Sequence, residues 1–150
     1  DWLIGRKLAT LQFKIYGARH GRGSRGTRTV EELARERSWI GFEPDERELK
    51  FDRWLATNVP DSNVVLRVDN FSHALKMVQS DLGIALLPAY LEEFVPELQA
   101  LTAPIKALQT PLWLITHPEL QNAMRIKVLL RAFGPALAHA IDAAQGHPSL

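Results

Sequence analysis

A strand–helix–strand run over residues 64–88 constrains the fold of this chain more than any other feature. Two short apolar segments, VVLRV and IALLP, flank a longer segment in which Ala74, Leu75 and Val78 recur at helical spacing. The flanking segments have the length of strands, and the segment between them has that of a helix. This order is typical of a βαβ unit, in which a helix connects two parallel strands. We predict that Asp69 or Asn70 caps the helix and that Gly83 supplies any positive φ after it.

Strands and helices alternate along the rest of the chain. Strands are predicted at residues 8–16, 39–42 and 112–116, and helices at residues 29–37, between Pro44 and Pro60, and at residues 122–144. Thr29 and Glu32 form a capping-box pattern at the start of the first helix. The last helix carries an apolar stripe of Ile126, Leu129, Leu130, Phe133, Leu137 and Ile141. The predicted class is therefore α/β with a mainly parallel sheet.

The composition excludes several kinds of function. The chain has 150 residues, which is near the size of one domain, and a net charge of +1, which provides no strong field for nucleic acid. It has no cysteine, which excludes disulfides, thiolate catalysis and cysteine-ligated metal and permits a reducing compartment. No apolar run approaches the ~20 residues of a membrane span. Charge appears too early after Asp1 for a signal peptide, and no sheet neighbours precede the first strand, so we expect the chain to begin within a longer fold.

A glycine- and arginine-rich segment follows the first predicted strand. Residues 21–26 read GRGSRG and match the dinucleotide-binding pattern G-x-G-x-x-G. The strand ends near Tyr16, several residues before the first glycine, whereas the pattern needs the tight turn directly after the strand. We therefore predict a basic loop and no cofactor. Its arginines, Arg19, Arg22, Arg25 and Arg28, form a candidate anion site, with a solvated loop as the alternative.

The histidines and serines do not form a catalytic or metal-binding pattern. Histidines occur at positions 20, 73, 117, 139 and 147, without the spacing of a zinc site, and no serine lies in a G-x-S-x-G elbow. His117 is expected at a turn and His139 on the surface. Ser72 and His73 are different because they lie in the first turn of the predicted helix at residues 71–82, where backbone N–H groups attract an anion. We predict that one of them faces a ligand, with capping or a plain surface role as the alternative, and we expect no enzyme activity.

Three segments carry a resemblance to one protein family. The first is residues 3–16, and the second is residues 75–88, in which an apolar helix ends at small residues and glycine before an apolar strand closed by proline. The third is PLWLITHPEL at residues 111–120, with the helix that follows it. Together these segments resemble the effector-binding domain of the LysR-type transcriptional regulators. Two features depart from the family pattern, namely Asp81, where many members have glycine, and the arginine–glycine loop at residues 19–28.

The resemblance implies two Rossmann-like lobes of the type 2 periplasmic-binding-protein fold, joined by two crossing segments. Residues 17–100 are then a complete second lobe, and residues 1–16 and 101–150 are part of the first. A small effector is expected in the cleft between lobes, where the matching positions are Gly17, Ala18, Phe71, Ser72 and His73. No metal or cofactor is implied.

The resemblance also implies a function. We expect the effector-sensing and oligomerisation domain of a cytoplasmic transcription regulator that associates with itself as a dimer or tetramer. DNA is a partner only through an N-terminal domain that this chain does not contain, and no membrane partner is expected. A solute-binding protein of the same fold is the main alternative, and a nucleotide-dependent enzyme built on residues 21–26 is the second.

Overall fold

The computed structural model describes residues 4–21, 28–43, 50–120 and 123–146. Its internal contacts divide the chain into two compact units, a first unit of Asp1–Leu11 with Gln109–Leu150 and a second unit of Gln12–Leu108. The elements in chain order are β1 (Ile4–Leu11), β2 (Phe13–Ala18), α1 (Val30–Glu36), β3 (Trp39–Phe42), α2 (Lys50–Asn58), β4 (Val64–Val68), α3 (Phe71–Gln79), β5 (Ala85–Pro88), α4 (Leu91–Phe94), β6 (Leu98–Ala100), β7 (Thr110–Thr116) and α5 (Met124–Ala144). Within the described residues, no helix combines the length and apolar character that crossing a membrane requires.

The second unit is built on two groups of strands. In one group β2 lies between β5 and β6 and is antiparallel to both, and in the other β3 and β4 are parallel. Two hydrogen bonds join the groups, since Ile40 N donates to Ile84 O and Ile84 N donates to Ser38 O, both at 2.9 Å. The predicted strand–helix–strand run is therefore confirmed as β4–α3–β5, with β3 between its two strands.

The α/β class is confirmed, but the prediction of a mainly parallel sheet is wrong. Among the four strand pairs of the described chain only β3–β4 is parallel, and one isolated bridge, between Trp39 and Ile84, is parallel as well. Strand β2 runs against both of its neighbours, and β1 runs against β7 in the first unit. An alternation of strands and helices predicts a parallel sheet only when each helix is a crossover between neighbouring strands, and β1, β2, β6 and β7 are not joined in that way.

Helix α3 covers the sheet of the second unit. Asn70 is its N-cap, and the Asn70 side chain accepts a hydrogen bond from the backbone N–H of His73 at 2.9 Å. Ala74 and Val78 are fully buried, which confirms the predicted apolar face. The capping box at α1 is also present, because the side chains of Thr29 and Glu32 each accept a hydrogen bond from the other residue's backbone N–H.

The turn after α3 differs from the prediction. The residue with a positive φ is Asp81, at 54°, and Gly83 has no such angle. Gly83 is required for a different reason, since a Cβ atom there would lie 2.8 Å from the carbonyl oxygen of Ser38. A left-handed backbone costs an L-residue free energy that glycine does not incur, so Asp81 adopts this conformation at a small conformational cost.

The first unit consists of a two-stranded ribbon covered by a helix. Strands β1 and β7 pair antiparallel with an irregularity between Lys7 and Ala9. Helix α5 packs on one face of this β1–β7 ribbon at the buried Gly134, where a Cβ atom would lie 3.5 Å from Leu8 and 3.8 Å from Leu114. Leu129 and Phe133, predicted to belong to the packing stripe of α5, are exposed instead.

The chain passes between the two units within the predicted first strand. Residues 8–16 are not one strand, because β1 ends at Leu11 and β2 begins at Phe13. The predicted lobe boundaries, after residue 16 and after residue 100, fall inside the second unit, since β2 pairs with β5 and β6 up to Ala18. That the two units correspond to the two lobes remains a prediction.

Candidate functional site

The five residues predicted to line an effector site lie at two opposite ends of the sheet in the second unit. Strand β2 is antiparallel to β5, with Phe13 opposite Pro88 and Tyr16 opposite Ala85. The start of β2 is therefore at the carboxyl edge of β5, next to α3, and Gly17 and Ala18 are at the amino edge. Gly17 lies four positions after Phe13, which is about 14 Å along the strand. One small molecule at the start of α3 does not reach Gly17.

Gly17 contributes to packing rather than to an open surface. A Cβ atom at this position would lie 3.3 Å from Leu101 Cδ1 and 3.4 Å from Ile84 Cγ2, both in fully buried side chains. Gly17 is itself buried and Ala18 is half-buried. Glycine at this position allows β2 and its neighbours to pack closely.

Phe71 belongs to a cluster of four phenylalanines under the first turn of α3. Its ring centroid lies 4.9 Å from that of Phe42, 5.5 Å from that of Phe51 and 5.8 Å from that of Phe13. The two shorter contacts are edge-to-face, the arrangement that the charge distribution of aromatic rings favours. Phe71 thus anchors the helix start to the sheet, whereas Ser72 beside it is exposed.

His73 takes part in a polar network at the N-terminus of α3. Its Nδ1 lies 2.6 Å from Asp69 Oδ1, and Asn70 Nδ2 donates to the same carboxylate oxygen at 2.9 Å. A carboxylate only accepts hydrogen bonds, so the short contact places a proton on Nδ1. The longer contact of 3.3 Å from Asn70 Nδ2 to Nδ1 is then not a hydrogen bond. No described residue occupies Nε2, which is the ring nitrogen that can bind a ligand.

A groove lies along the carboxyl ends of β3 and β4 and the start of α3. We call it the carboxyl-edge groove; its volume is about 430 Å³, and it is lined by Glu43, Leu66, Arg67, Val68, Asp69, His73 and Met77. Arg67 is already engaged, since it donates to the carbonyl of Phe42 at 3.2 Å and to the Asp61 carboxylate at 2.9 Å. The groove therefore combines apolar walls with two carboxylates and one histidine. With two carboxylates in the lining and Arg67 already engaged, the groove is not the anion site that the helix N-terminus alone suggested.

The arginine-rich loop is only partly described by the structure. Arg19 donates through Nε to Pro96 O at 2.6 Å and through Nη2 to Leu98 O at 3.2 Å. Arg28 forms an ion pair with Glu36 at 2.7 Å. These two guanidinium groups hold neighbouring segments, which argues against their use in an anion site. The remaining predicted anion ligands, Arg22 and Arg25, and most of the G-x-G-x-x-G pattern at residues 21–26 lie outside the described residues.

A buried tyrosine in the second unit has a structural role. The Tyr16 hydroxyl lies 3.3 Å from Ala89 O and 3.2 Å from a carboxylate oxygen of Glu92, which also pairs with Lys14 at 2.7 Å. Burial raises the pKa of the Tyr16 phenol far above its ordinary value, and the Glu92 carboxylate raises it further. The phenol therefore stays protonated, and its single O–H proton is shared between the two acceptors.

Sequence reasoning identified His73 but missed its partners. Asp69 was considered only as a possible cap, although its i, i+4 spacing to His73 is a signal for a side-chain pair. Glu43 and Met77 line the same groove from other elements, and no local sequence pattern connects them to His73. His117 lies at a turn, with Nδ1 accepting from the backbone N–H of Glu119 at 3.4 Å, and the exposed His139 lies on α5.

Comparison with known protein families identifies one match. The sequence model described as "LysR substrate binding domain" matches residues 1–138. No curated protein sequence matches the chain. The crystal structure of CbnR, a LysR family transcriptional regulator, is similar with a TM-score of 0.62 and 15% identity, and the match covers 96% of this chain and 47% of CbnR. The chain thus spans about half the length of that regulator.

Two further structures match with fuller coverage of the neighbour. One, a putative transcriptional regulator from Vibrio parahaemolyticus, has a TM-score of 0.70 and 16% identity over 94% of this chain and 67% of that one. The other, the CcmR regulatory domain of Synechocystis PCC6803 in complex with 2-PG, has a TM-score of 0.61 and 13% identity over 91% and 67%. At these identities the structural likeness establishes the fold, and the family match establishes the relationship.

Proposed function

Because the chain belongs to the LysR substrate-binding domain family, we propose that it senses a small-molecule effector in a DNA-binding transcription regulator. The family match over residues 1–138 is the observation that carries this proposal. The complex of the CcmR regulatory domain with 2-PG supports it, since that neighbour was solved with a small molecule. In this proposal the chain is a non-catalytic domain that acts in the cytoplasm, and a DNA-binding domain elsewhere in the protein reads the operator.

The carboxyl-edge groove is our candidate for the effector surface of the second unit. Ligands of open α/β sheets bind outside the carboxyl ends of the strands, and this groove lies at the ends of β3 and β4. His73 contributes its Nε2, Ser72 contributes an exposed hydroxyl beside it, and Phe71 fixes the helix that carries both. Gly17 and Ala18, at the other end of the sheet, support the fold in this arrangement.

The groove indicates the kind of effector that fits. Asp69 holds the His73 ring by its Nδ1, so that Nε2 accepts a hydrogen bond when the ring is neutral and donates one when it is charged. The carboxylate of Glu43 accepts hydrogen bonds, and Leu66 and Met77 provide apolar contact. We expect an effector that has both an apolar part and donor groups, such as hydroxyl or amino groups.

Self-association is the second part of the proposal. Four large apolar side chains of the first half of α5 are exposed, namely Met124, Val128, Leu129 and Phe133. Exposed apolar surface of this kind is typical of a protein–protein contact. We expect V128K and F133K to lower the average mass of the protein in light scattering, whereas A140K, an exposed position further along α5, leaves it unchanged. A monomeric wild-type protein would contradict this part of the proposal.

The effector proposal is tested on the full-length regulator. A thermal-shift screen of small metabolites identifies compounds that bind, and footprinting on upstream DNA reports whether each compound changes operator protection. We expect H73Q to weaken binding of an active compound by about tenfold, because one charge-assisted or neutral hydrogen bond is lost. H117Q removes another exposed histidine and serves as the matched control.

Two outcomes would contradict the effector proposal. The first is a full-length protein that protects no DNA sequence, which would remove the assignment as a transcription regulator. The second is an active compound whose affinity is the same in H73Q as in the wild type, which would place the effector away from the carboxyl-edge groove.

A further inference from the structure

A second groove, in the first unit, lies between the β1–β7 ribbon and the first half of α5. We call it the basic groove; its volume is about 240 Å³. Its lining includes Arg6, Leu114, Thr116, Lys127, Leu130 and Arg131. Three of these side chains are cations that come from two different elements, β1 and α5. The sequence placed no function here, and the proposal above does not use this groove.

The cations of the basic groove are not neutralised by carboxylates of the described residues. None of the ion pairs in the described chain includes Arg6, Lys127 or Arg131. The two acidic residues that the structure describes in the first unit, Glu119 and Asp142, are both outside the lining. Asp142 lies eleven residues beyond Arg131 on the same helix, which is about 16 Å along its axis. Among the described residues of the first unit, the groove therefore carries three cations with no carboxylate in its lining.

The helix dipole adds to this positive potential. Helix α5 has 21 residues and presents its N-terminal half to the groove, with no acidic residue in the first turn. Its N-cap is Ala123, whose methyl group cannot accept a hydrogen bond. Lys127 is placed near the positive end of the dipole, where a cation is destabilising. A bound anion would offset both the dipole and the repulsion among the three cations.

The other lining residues define the rest of the ligand. Leu114 and Leu130 provide an apolar surface, and the Thr116 hydroxyl provides one donor or acceptor. A dry apolar cavity of about 150 Å³ accommodates a benzene ring, so the larger basic groove has room for a ring and a carboxylate. We propose that the basic groove binds a small organic acid, with its carboxylate toward Arg6, Lys127 and Arg131 and its apolar body against the two leucines.

The test is an amide-resolved NMR titration of the 150-residue chain at constant ionic strength. Phenylacetate is the probe, phenylacetamide is its neutral counterpart, and acetate lacks the ring. We expect phenylacetate to shift the amides of Arg6, Thr116 and residues 127–131 saturably at millimolar concentration. We expect the wild type to bind phenylacetamide about tenfold more weakly than phenylacetate. We expect R131Q to bind phenylacetate about tenfold more weakly than the wild type does. In each case a hydrogen bond to a charged group is lost.

Controls separate a specific site from general attraction. R125Q removes a cation of α5 that does not line the basic groove. The affinity of R125Q for phenylacetate should therefore match that of the wild type. R6Q tests the same site from the ribbon, and the amide spectrum of each variant reports whether it folds. Three results would each overturn the proposal. They are equal affinities for phenylacetate and phenylacetamide, equal losses of phenylacetate affinity in R125Q and R131Q, and amide shifts that do not saturate. Because the readout lies in the first unit, these outcomes are independent of the His73 test.

Discussion

The contact between Gly83 and Ser38 provides the sharpest test of how the second unit is held together. Replacing Gly83 with alanine would place a Cβ atom 2.8 Å from Ser38 O and 3.3 Å from Ile40 Cγ1. Close carbon–oxygen contacts in proteins have separations of about 3.3 Å. The carbonyl of Ser38 would therefore have to retreat by about 0.5 Å, or the chain at position 83 would have to move by the same amount.

That retreat acts on the only hydrogen bonds described between β3 and the β5 side of the sheet. Ser38 O accepts from Ile84 N at 2.9 Å, and Ile40 N donates to Ile84 O at 2.9 Å. A shift of about 0.5 Å takes the first bond to about 3.4 Å, beyond the usual range. Losing both bonds costs about 1 kcal/mol each, overpacking costs about 1–3 kcal/mol, and the reduced freedom of the unfolded chain offsets about 0.4–1 kcal/mol. The expected loss is about 2–5 kcal/mol of unfolding free energy.

Urea unfolding followed by tryptophan fluorescence measures this loss, since Trp39 is fully buried in β3 next to the contact. The matched control is G5A, where the added Cβ atom lies at ordinary distances, 3.5 Å from Trp113 Cε3 and 3.8 Å from Leu114 O. We expect G5A to stay within about 0.5 kcal/mol of the wild type. A loss of the same small size in G83A would refute the reasoning, because it would show that β3 and the chain before β5 do not approach so closely.

Three other substitutions test separate parts of the fold. N70A should cost about 1 kcal/mol of unfolding free energy in urea, because the cap on the His73 N–H is lost, whereas N70D should keep most of it; equal losses in the two variants would contradict the cap. T29A should cost about 1 kcal/mol through the capping box of α1, and an unchanged midpoint would show that this helix start contributes little. The folded-state pKa of the Tyr16 phenol is raised. The phenol's contribution to the unfolding free energy is therefore complete below its unfolded-state pKa of about 10, and this contribution is lost as the pH rises above that value. Unfolding free energy measured from pH 9 to pH 11 should therefore fall more steeply in the wild type than in Y16F, and parallel curves would contradict a buried, protonated phenol.

Local patterns predicted the elements of the second unit well. The spacing of Ala74 and Val78, the cap at Asn70 and the capping box at Thr29 and Glu32 depend on residues three or four positions apart, and the structure contains all of them. These interactions form within one helix turn, so the sequence alone contains the information they need. The family resemblance, which rests on the spacing of three such segments, was confirmed for the same reason.

Strand direction and pairing were not predictable in this way. An apolar strand has the same alternation whether its neighbour is parallel or antiparallel, so nothing local indicated that β2 runs against β5 and β6. The candidate site has a different source, since the family resemblance placed the crossover at Gly17 and Ala18. In the structure the boundary between the units falls at Leu11 and Gln12, and Gly17 lies at the edge of the sheet opposite Phe71. The positive φ at Asp81 was also assigned to the wrong residue, since glycine is only the commonest solution for that conformation.

By itself, the sequence determined the α/β class, the strand–helix–strand unit at residues 64–88 and the family, because each depends on short-range spacing. Only the tertiary structure decided which side chains share a surface. It brought Glu43 and Met77 to His73, and Arg6 to Lys127 and Arg131. These residues lie on separate elements, and their proximity depends on strand register and helix packing across long stretches of chain, which no local pattern encodes.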